Sequence, residues 1–71
     1  MTKTQFEIFE KMLINGRPAK VGKYTFVISR RNGTEYQLSQ MYETSNLILK
    51  IGTFEQCFEV AKECFNMMFM D

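Results

Sequence analysis

Hydrophobic residues in the first part of the chain recur at helical spacing. They are Phe6, Phe9 and Leu13, with Ile8 and Met12 beside them. Thr4 and Glu7 stand at capping-box spacing, at which a hydroxyl and a carboxylate each accept a hydrogen bond from a free backbone amide. Gly16 suits the left-handed residue that follows a helix, and Pro18 prevents the helix from resuming. The pattern predicts a short first helix, stabilised mainly by packing.

A long alternating segment around Asn32-Gly33 predicts a β-hairpin. A two-residue loop of Asn32 and Gly33 would pair Ile28 with Gln37, which sets an apolar side chain against a polar one. A three-residue loop that begins one residue earlier, with Gly33 as a left-handed bulge residue, would instead pair Ile28 with Tyr36. Because a one-residue slip moves every side chain to the other face of the sheet, the hydrophobic pattern favours the three-residue loop.

The hairpin has one apolar face and one mostly polar face. The apolar face carries Tyr24, Phe26, Ile28, Tyr36, Leu38 and Tyr42. The other face carries Thr25, Val27, Ser29, Glu35, Gln37, Ser39 and Met41. We expect the first face to lie against the core and the second to face solvent.

The stretch LILKI at positions 47–51 alternates again and predicts a third strand. Its inward residues are expected to be Leu47, Leu49 and Ile51, and its outward residues Ile48 and Lys50. Gly52 ends this strand, and Thr53 with Gln56 forms a second capping-box pattern. The last helix then carries an apolar stripe of Phe54, Phe58, Ala61, Phe65 and Met68, flanked by Cys57 and Cys64.

The element order is therefore α-β-β-β-α. It predicts an α+β two-layer sandwich, in which a three-stranded antiparallel meander sheet has both helices on one face. The chain length gives a single domain, residues 1–71, which we interpret as a complete small protein.

The chain has more apolar surface than a sandwich of this size can bury. The residues left over are Met67, Phe69 and Met70 near the terminus and Val27, Met41 and Ile48 on the outer face of the sheet. Below about 70–80 residues a single core supplies only ~3–5 kcal/mol, and small folds often gain stability from a second subunit. The sequence therefore predicts a protein interface at these six residues, with a homodimer as the first expectation.

Residues for catalysis are scarce. The chain has no histidine, so it has neither a Ser-His nor a Cys-His pair. Cys57 and Cys64 lie two helical turns apart, too far for a disulfide within one helix. Glu55, Glu59 and Glu63 share one helix face, where a solvated surface explains them. We expect no enzyme activity, no metal and no cofactor.

Basic residues offer an alternative function. The formal net charge is only +1, but the segment from Lys11 to Arg31 contains no acidic residue. The candidate nucleic-acid contacts are Arg17, Lys20, Lys23, Arg30, Arg31 and Asn32. In element order, the segment from Lys23 to Phe69 resembles the small arm-binding domains of phage-type integrases, which implies a sheet face laid in the major groove. Glu35 on the same face would oppose phosphate binding.

The sequence contains neither a secretory signal pattern nor a long apolar run, and its unpaired cysteines suit a reducing compartment. We therefore expect a cytoplasmic protein that does not bind membranes. The preferred function is a small non-catalytic interaction protein. It would be an accessory regulator or inhibitor, of the kind that phages and mobile elements also encode, and would act by binding an unidentified protein.

Overall fold

The chain folds as two helices and one antiparallel sheet. A computed structural model describes the backbone of residues 2–69 and the side chains of residues 2–68. The elements are α1 (Lys3–Ile14), β1 (Ala19–Val21), β2 (Tyr24–Asn32), β3 (Glu35–Tyr42), β4 (Ser45–Gly52) and α2 (Phe54–Phe69). The strands lie in the order β1-β2-β3-β4. The α+β class is confirmed, but the expected three-stranded sheet is wrong, because the described chain forms four strands.

Strand β1 is the element that the sequence pattern missed. It forms a tight hairpin with β2, in which Val21 lies opposite Tyr24 and Ala19 opposite Phe26. Gly22 makes the turn possible with a positive φ of 61°, a conformation that favours glycine. The alternation of buried and exposed residues is present, but it runs over only three residues. So short a pattern cannot be distinguished from a loop in the sequence.

The central hairpin has a register that neither predicted loop gives. Ile28 lies opposite Leu38, two residues from its expected partner Tyr36, and an irregularity in β2 leaves Arg31 as an extra residue. Because the displacement from the preferred register is an even number of residues, every side chain keeps its predicted face. The apolar and polar faces of the hairpin are therefore confirmed, although both predicted registers are wrong.

Strand β4 contains a bulge that changes which side chains face the helices. Leu38 lies opposite Lys50 and Ser39 opposite Ile48, so Leu49 is the extra residue. Beyond it, Ile51 pairs with Gln37 on the outer face, since cross-strand partners share a face. The predicted sides of Ile51 and Lys50 are therefore wrong. The bulge explains the exchange, because an extra residue shifts the alternation by one position.

Both helices pack on the same face of the sheet. The Phe9 ring of α1 lies 5.5 Å from the Phe26 ring of β2, and the Phe54 ring of α2 lies 5.5 Å from the Tyr36 ring of β3. Phe9 also contacts Phe65 of α2, at 4.8 Å between ring centroids. The buried hydrophobic residues are Phe9, Leu13, Ala19, Val21, Phe26, Ile28, Leu38, Cys57, Ala61 and Phe65. They form one core between the sheet and the helices, whereas Met68, expected in the buried stripe, is exposed.

Of the three helix ends that the sequence pattern predicts, two agree with the structure. Asn15 and Gly16 follow α1, and Gly16 has a positive φ of 70°. At the start of α2, the backbone amide of Thr53 donates to Gln56 Oε1 at 3.0 Å, which confirms the second capping box. The first one is wrong, because α1 is capped by Thr2 with Gln5 instead of Thr4 with Glu7.

Candidate functional site

The outer face of the sheet is the largest uncovered surface that the strands provide. Both helices lie on the other side, and among the described residues no element packs on this face. We call it the open face and define it by its apolar residues, Val27, Met41, Ile48 and Ile51. Its polar residues are Thr25, Ser29, Gln37, Ser39 and Asn46.

The register places the apolar side chains in neighbouring rows. Val27, Ser39 and Ile48 form the central row. The flanking rows are Ser29, Gln37 and Ile51 on one side and Thr25, Met41 and Asn46 on the other. Each row therefore contributes at least one apolar residue, and together these residues form an apolar strip around Ser39.

A small residue at the centre of the open face is buried even though no helix covers it. Ser39 is only 4% exposed. Its Oγ accepts a hydrogen bond of 2.9 Å from Gln37 Nε2, and Gln37 Oε1 accepts one of 3.1 Å from Arg31. These internal bonds satisfy the polar groups. The surface left for a partner is therefore the set of apolar side chains around Ser39.

The structure brings together three of the predicted interface residues and adds one. Val27, Met41 and Ile48 lie on the open face, as expected, and Ile48 is 49% exposed. Ile51 joins them with 42% exposure. Sequence alternation placed Ile51 in the core, and only the bulge at Leu49 could have indicated otherwise.

The terminal methionines do not belong to the same surface. Met67 is 86% exposed on α2, in the helix layer on the other side of the sheet. The side chain of Phe69 and all of Met70 lie outside the described residues. The predicted interface set is thus divided between the open face and the end of α2.

The two arginines of the hairpin tip lie on opposite faces. Arg30 pairs with Tyr36 on the helix side, and its Nε donates to the Gly33 carbonyl at 2.8 Å. Arg31 lies on the open side, where its Nε is 3.4 Å from Glu35 Oε1. Asn32 is opposite Glu35. The tip therefore presents separated and partly neutralised charges instead of one basic patch.

The other basic candidates surround the edge strand β1. Arg17 precedes the strand, Lys20 lies within it and Lys23 follows it, and all three residues are exposed. None of them forms an ion pair with a carboxylate of residues 2–69. These cations are available to a ligand that approaches the β1 edge.

The thiols lack the environment of a reactive cysteine. Burial raises the pKa of Cys57, whose Sγ donates to the Lys50 carbonyl at 3.8 Å. Burial and the neighbouring Glu63 carboxylate raise the pKa of Cys64. A raised thiol pKa lowers the thiolate fraction at neutral pH and therefore the nucleophilicity. Both thiols are free, and their surroundings favour structural roles.

The acidic face of α2 forms a local ion pair. Glu59 Oε1 lies 2.8 Å from Lys62 Nζ, and this hydrogen bond raises the pKa of Lys62. Lys62 Nζ also lies 4.8 Å from the centre of the Phe58 ring. Within the described part of the chain, no three acidic, cysteine or histidine residues converge as metal ligands would. The acidic ladder has the arrangement of a solvated helix surface.

Comparisons with protein-family models, with curated proteins and with solved structures found no match to this chain. In the described residues, neither helix combines the length and apolar character needed to cross a bilayer.

Proposed function

We propose that this chain is a non-catalytic protein-binding module that acts in the cytoplasm as an accessory regulator or inhibitor. The observation that carries the proposal is the open face, an uncovered sheet surface with an apolar strip. Exposed apolar patches of this kind mark interaction surfaces more often than they mark chemistry. The free thiols Cys57 and Cys64 would remain reduced in that compartment.

A second copy of the chain is the first partner that we assign to the open face. Its interior residues are uncharged, and its charged residues are confined to corners: Lys20 at the β1 edge and the Arg31–Glu35 pair at the hairpin tip. Two such faces can therefore meet without like charges at the centre of the contact. Stacked sheets pack about 10 Å apart with interdigitating side chains.

The area of the open face indicates how large the dimer interface would be. The three long strands have eight or nine residues each, and β1 adds three. With ~3.4 Å per residue and ~4.8 Å between strands, the open face covers roughly 450 Å². Two copies would bury about 900 Å² in total, near the lower bound of ~1,000 Å² for a specific complex. We therefore expect a reversible dimer that dissociates on dilution and leaves the face available to another protein.

Nucleic-acid binding has weaker support in this arrangement. Arg30 and Arg31 diverge to opposite faces, and the surface that would enter a groove carries Ile48 and Ile51 in place of polar readers. Base-edge recognition requires hydrogen-bonding side chains in register with the groove. On the open face, Gln37 and Ser39 are already hydrogen-bonded within the protein.

The test compares two substitutions that each introduce a carboxylate at an exposed apolar residue. Ile48→Glu places a charge in the central row of the open face, whereas Met67→Glu places it on α2. We expect Ile48→Glu to raise the dimer dissociation constant at least about tenfold, measured by sedimentation equilibrium. We expect Met67→Glu to leave it unchanged.

Circular dichroism would first show that both variants keep the wild-type fold. If Met67→Glu weakens the dimer and Ile48→Glu does not, the interface belongs to the end of α2 and the proposed role of the open face is wrong. If both variants weaken the dimer equally, the added negative charge and not its position is the cause, and this result would also contradict the proposal.

A further inference from the structure

A groove runs between α1 and the edge strand β1. Its volume is about 300 Å³. The residues that matter for its chemistry are Gln5, Ile8, Met12, Ala19, Val21 and Phe65. The lining is mainly apolar, and Ile8 is more than half exposed. The groove is thus an apolar slot that opens at one edge of the sheet, on the helix side and away from the open face.

The strand that borders the groove has only one neighbour. β1 pairs with β2, and its other edge has no strand partner among the residues that the structure describes. An exposed sheet edge presents unpaired backbone amides and carbonyls to an incoming extended chain. The groove and the free edge together provide the two parts of a strand-addition site, in which backbone bonds give affinity and a side-chain pocket gives specificity.

The charged residues before, within and after strand β1 are all basic. Arg17, Lys20 and Lys23 are exposed before, within and after the strand, and none has a carboxylate partner in residues 2–69. The groove lining contains no acidic residue. Lys20 borders the groove, but it pairs with Thr25, so its side chain lies on the open-face side of the β1 edge. Complementarity therefore favours a ligand that carries carboxylates beside its apolar side chains.

We propose that an extended acidic peptide segment of a partner protein binds at β1 as a fifth strand of the sheet. One bulky apolar side chain of the peptide enters the groove between Ile8 and Met12. Because successive side chains of a strand point to opposite faces, its carboxylates lie on the other face of the added strand, near Lys20 and the flanking cations. The groove lies on the other side of the sheet from the apolar residues of the open face, and only Lys20 borders both surfaces. The proposal therefore goes beyond the proposed self-association and does not depend on it.

The dimensions of the site set the expected affinity. Three paired residues in β1 offer only a few backbone hydrogen bonds. A volume of about 300 Å³ is at the lower end of the ~300–1,000 Å³ range of ligand pockets. The site therefore suits one apolar anchor and a short segment, with a dissociation constant on the order of micromolar.

The experiment selects ligands from a display library of random linear peptides on the immobilised full chain. The strongest enriched peptide is then labelled with fluorescein and titrated by anisotropy. We expect the enriched peptides to combine acidic residues with a bulky apolar residue. We expect Lys20→Glu to weaken binding at least about tenfold and Ile8→Glu to weaken it as well.

A matched control has the same charge change on the far side of α1. Lys3→Glu lies on the face of the helix opposite the groove residues and adds an acid to a first turn that has none, which favours the helix. We expect Lys3→Glu to change the affinity by less than about twofold, since exposed charges contribute little to contacts that they do not touch.

Amide chemical shifts recorded during the titration locate the bound peptide. Changes centred on Lys20 and Val21 support the site, and changes confined to β4 or the open face overturn it. The proposal is also overturned if no peptide is enriched above background, if enriched peptides are basic, or if Lys3→Glu and Lys20→Glu weaken binding equally. If a single-stranded oligonucleotide binds more tightly than the peptide and displaces it, the basic residues around β1 bind nucleic acid and the proposal is wrong.

Discussion

Two leucines on neighbouring strands show how burial decides how much a side chain contributes to the stability of the fold. Leu38 of β3 is fully buried, whereas Leu47 of β4 is 57% exposed at the free edge of the sheet. Both side chains lie on the helix side of the sheet, but Leu47 belongs to the edge strand β4, which has a strand neighbour on one side only. The energetic difference between the two positions follows from burial, because the hydrophobic contribution scales with the apolar area removed from water.

We expect Leu38→Ala to cost about 2–5 kcal/mol of unfolding free energy, through lost burial and the cavity that remains. That cost is comparable with the ~3–5 kcal/mol that a core of this size supplies, so this variant should be largely unfolded at room temperature. Leu47→Ala should change the unfolding free energy by less than about 0.5 kcal/mol. Urea denaturation followed by circular dichroism measures both. Similar losses for the two variants would show that the core is not where the structure places it.

At the scale of the secondary-structure elements, the start of α1 contains two overlapping capping-box patterns. Thr2-Gln5 and Thr4-Glu7 both have capping-box spacing. The structure uses Thr2, whose Oγ1 accepts from the Gln5 amide at 3.2 Å while the Thr2 amide donates to Gln5 Oε1 at 2.7 Å. Phe6 lies inside the helix with either cap, and its ring lies 5.1 Å from that of Phe65. The local pattern alone therefore does not choose between the two caps.

Thr2→Ala should lower the unfolding free energy by about 0.5–2 kcal/mol, since it removes the capping hydroxyl. Thr4→Ala should be neutral or slightly stabilising, because alanine has the highest helix propensity and Thr4 lies within the helix. Thermal unfolding of the two single variants distinguishes the caps. A larger loss for Thr4→Ala would mean that α1 begins where the sequence pattern first indicated.

The strands show which features alternation can and cannot predict. Apolar and polar positions gave the correct faces of β2 and β3, because the period of two survives any even change of register. The same pattern could not give the register itself, since Arg31 is an extra residue whose position depends on the turn. It also placed Ile51 inward, because the bulge at Leu49 leaves no mark in composition. The open face was therefore predicted only in part.

At the scale of the whole molecule, the candidate surfaces lie on different sides of one small sandwich. The open face lies on one side of the sheet, and the β1 groove lies on the helix side at one edge. A dimer formed through the open faces would leave a groove available on each copy. The protein could then hold two copies of an acidic segment at once and gain avidity without further contacts.

The basic residues form one run along the sequence, but the whole fold divides them between different surfaces. Along the sequence, Arg17, Lys20 and Lys23 belong to the same run as Arg30 and Arg31. In the fold, the first three surround β1, while the two arginines of the hairpin tip separate to opposite faces. Charge counts along a chain do not show such a division, because topology decides which charges meet.

The mass of the wild-type chain in solution shows directly whether two copies associate. Light scattering across a concentration series, in low and moderate salt, measures it, and the absorbance ratio reports bound nucleic acid. We expect a mass that rises from monomer to dimer with concentration and depends little on salt, because the contact is apolar. We also expect the protein to be free of nucleic acid. A chain that stays monomeric at every concentration, or that copurifies with nucleic acid released by salt, would contradict the proposed function.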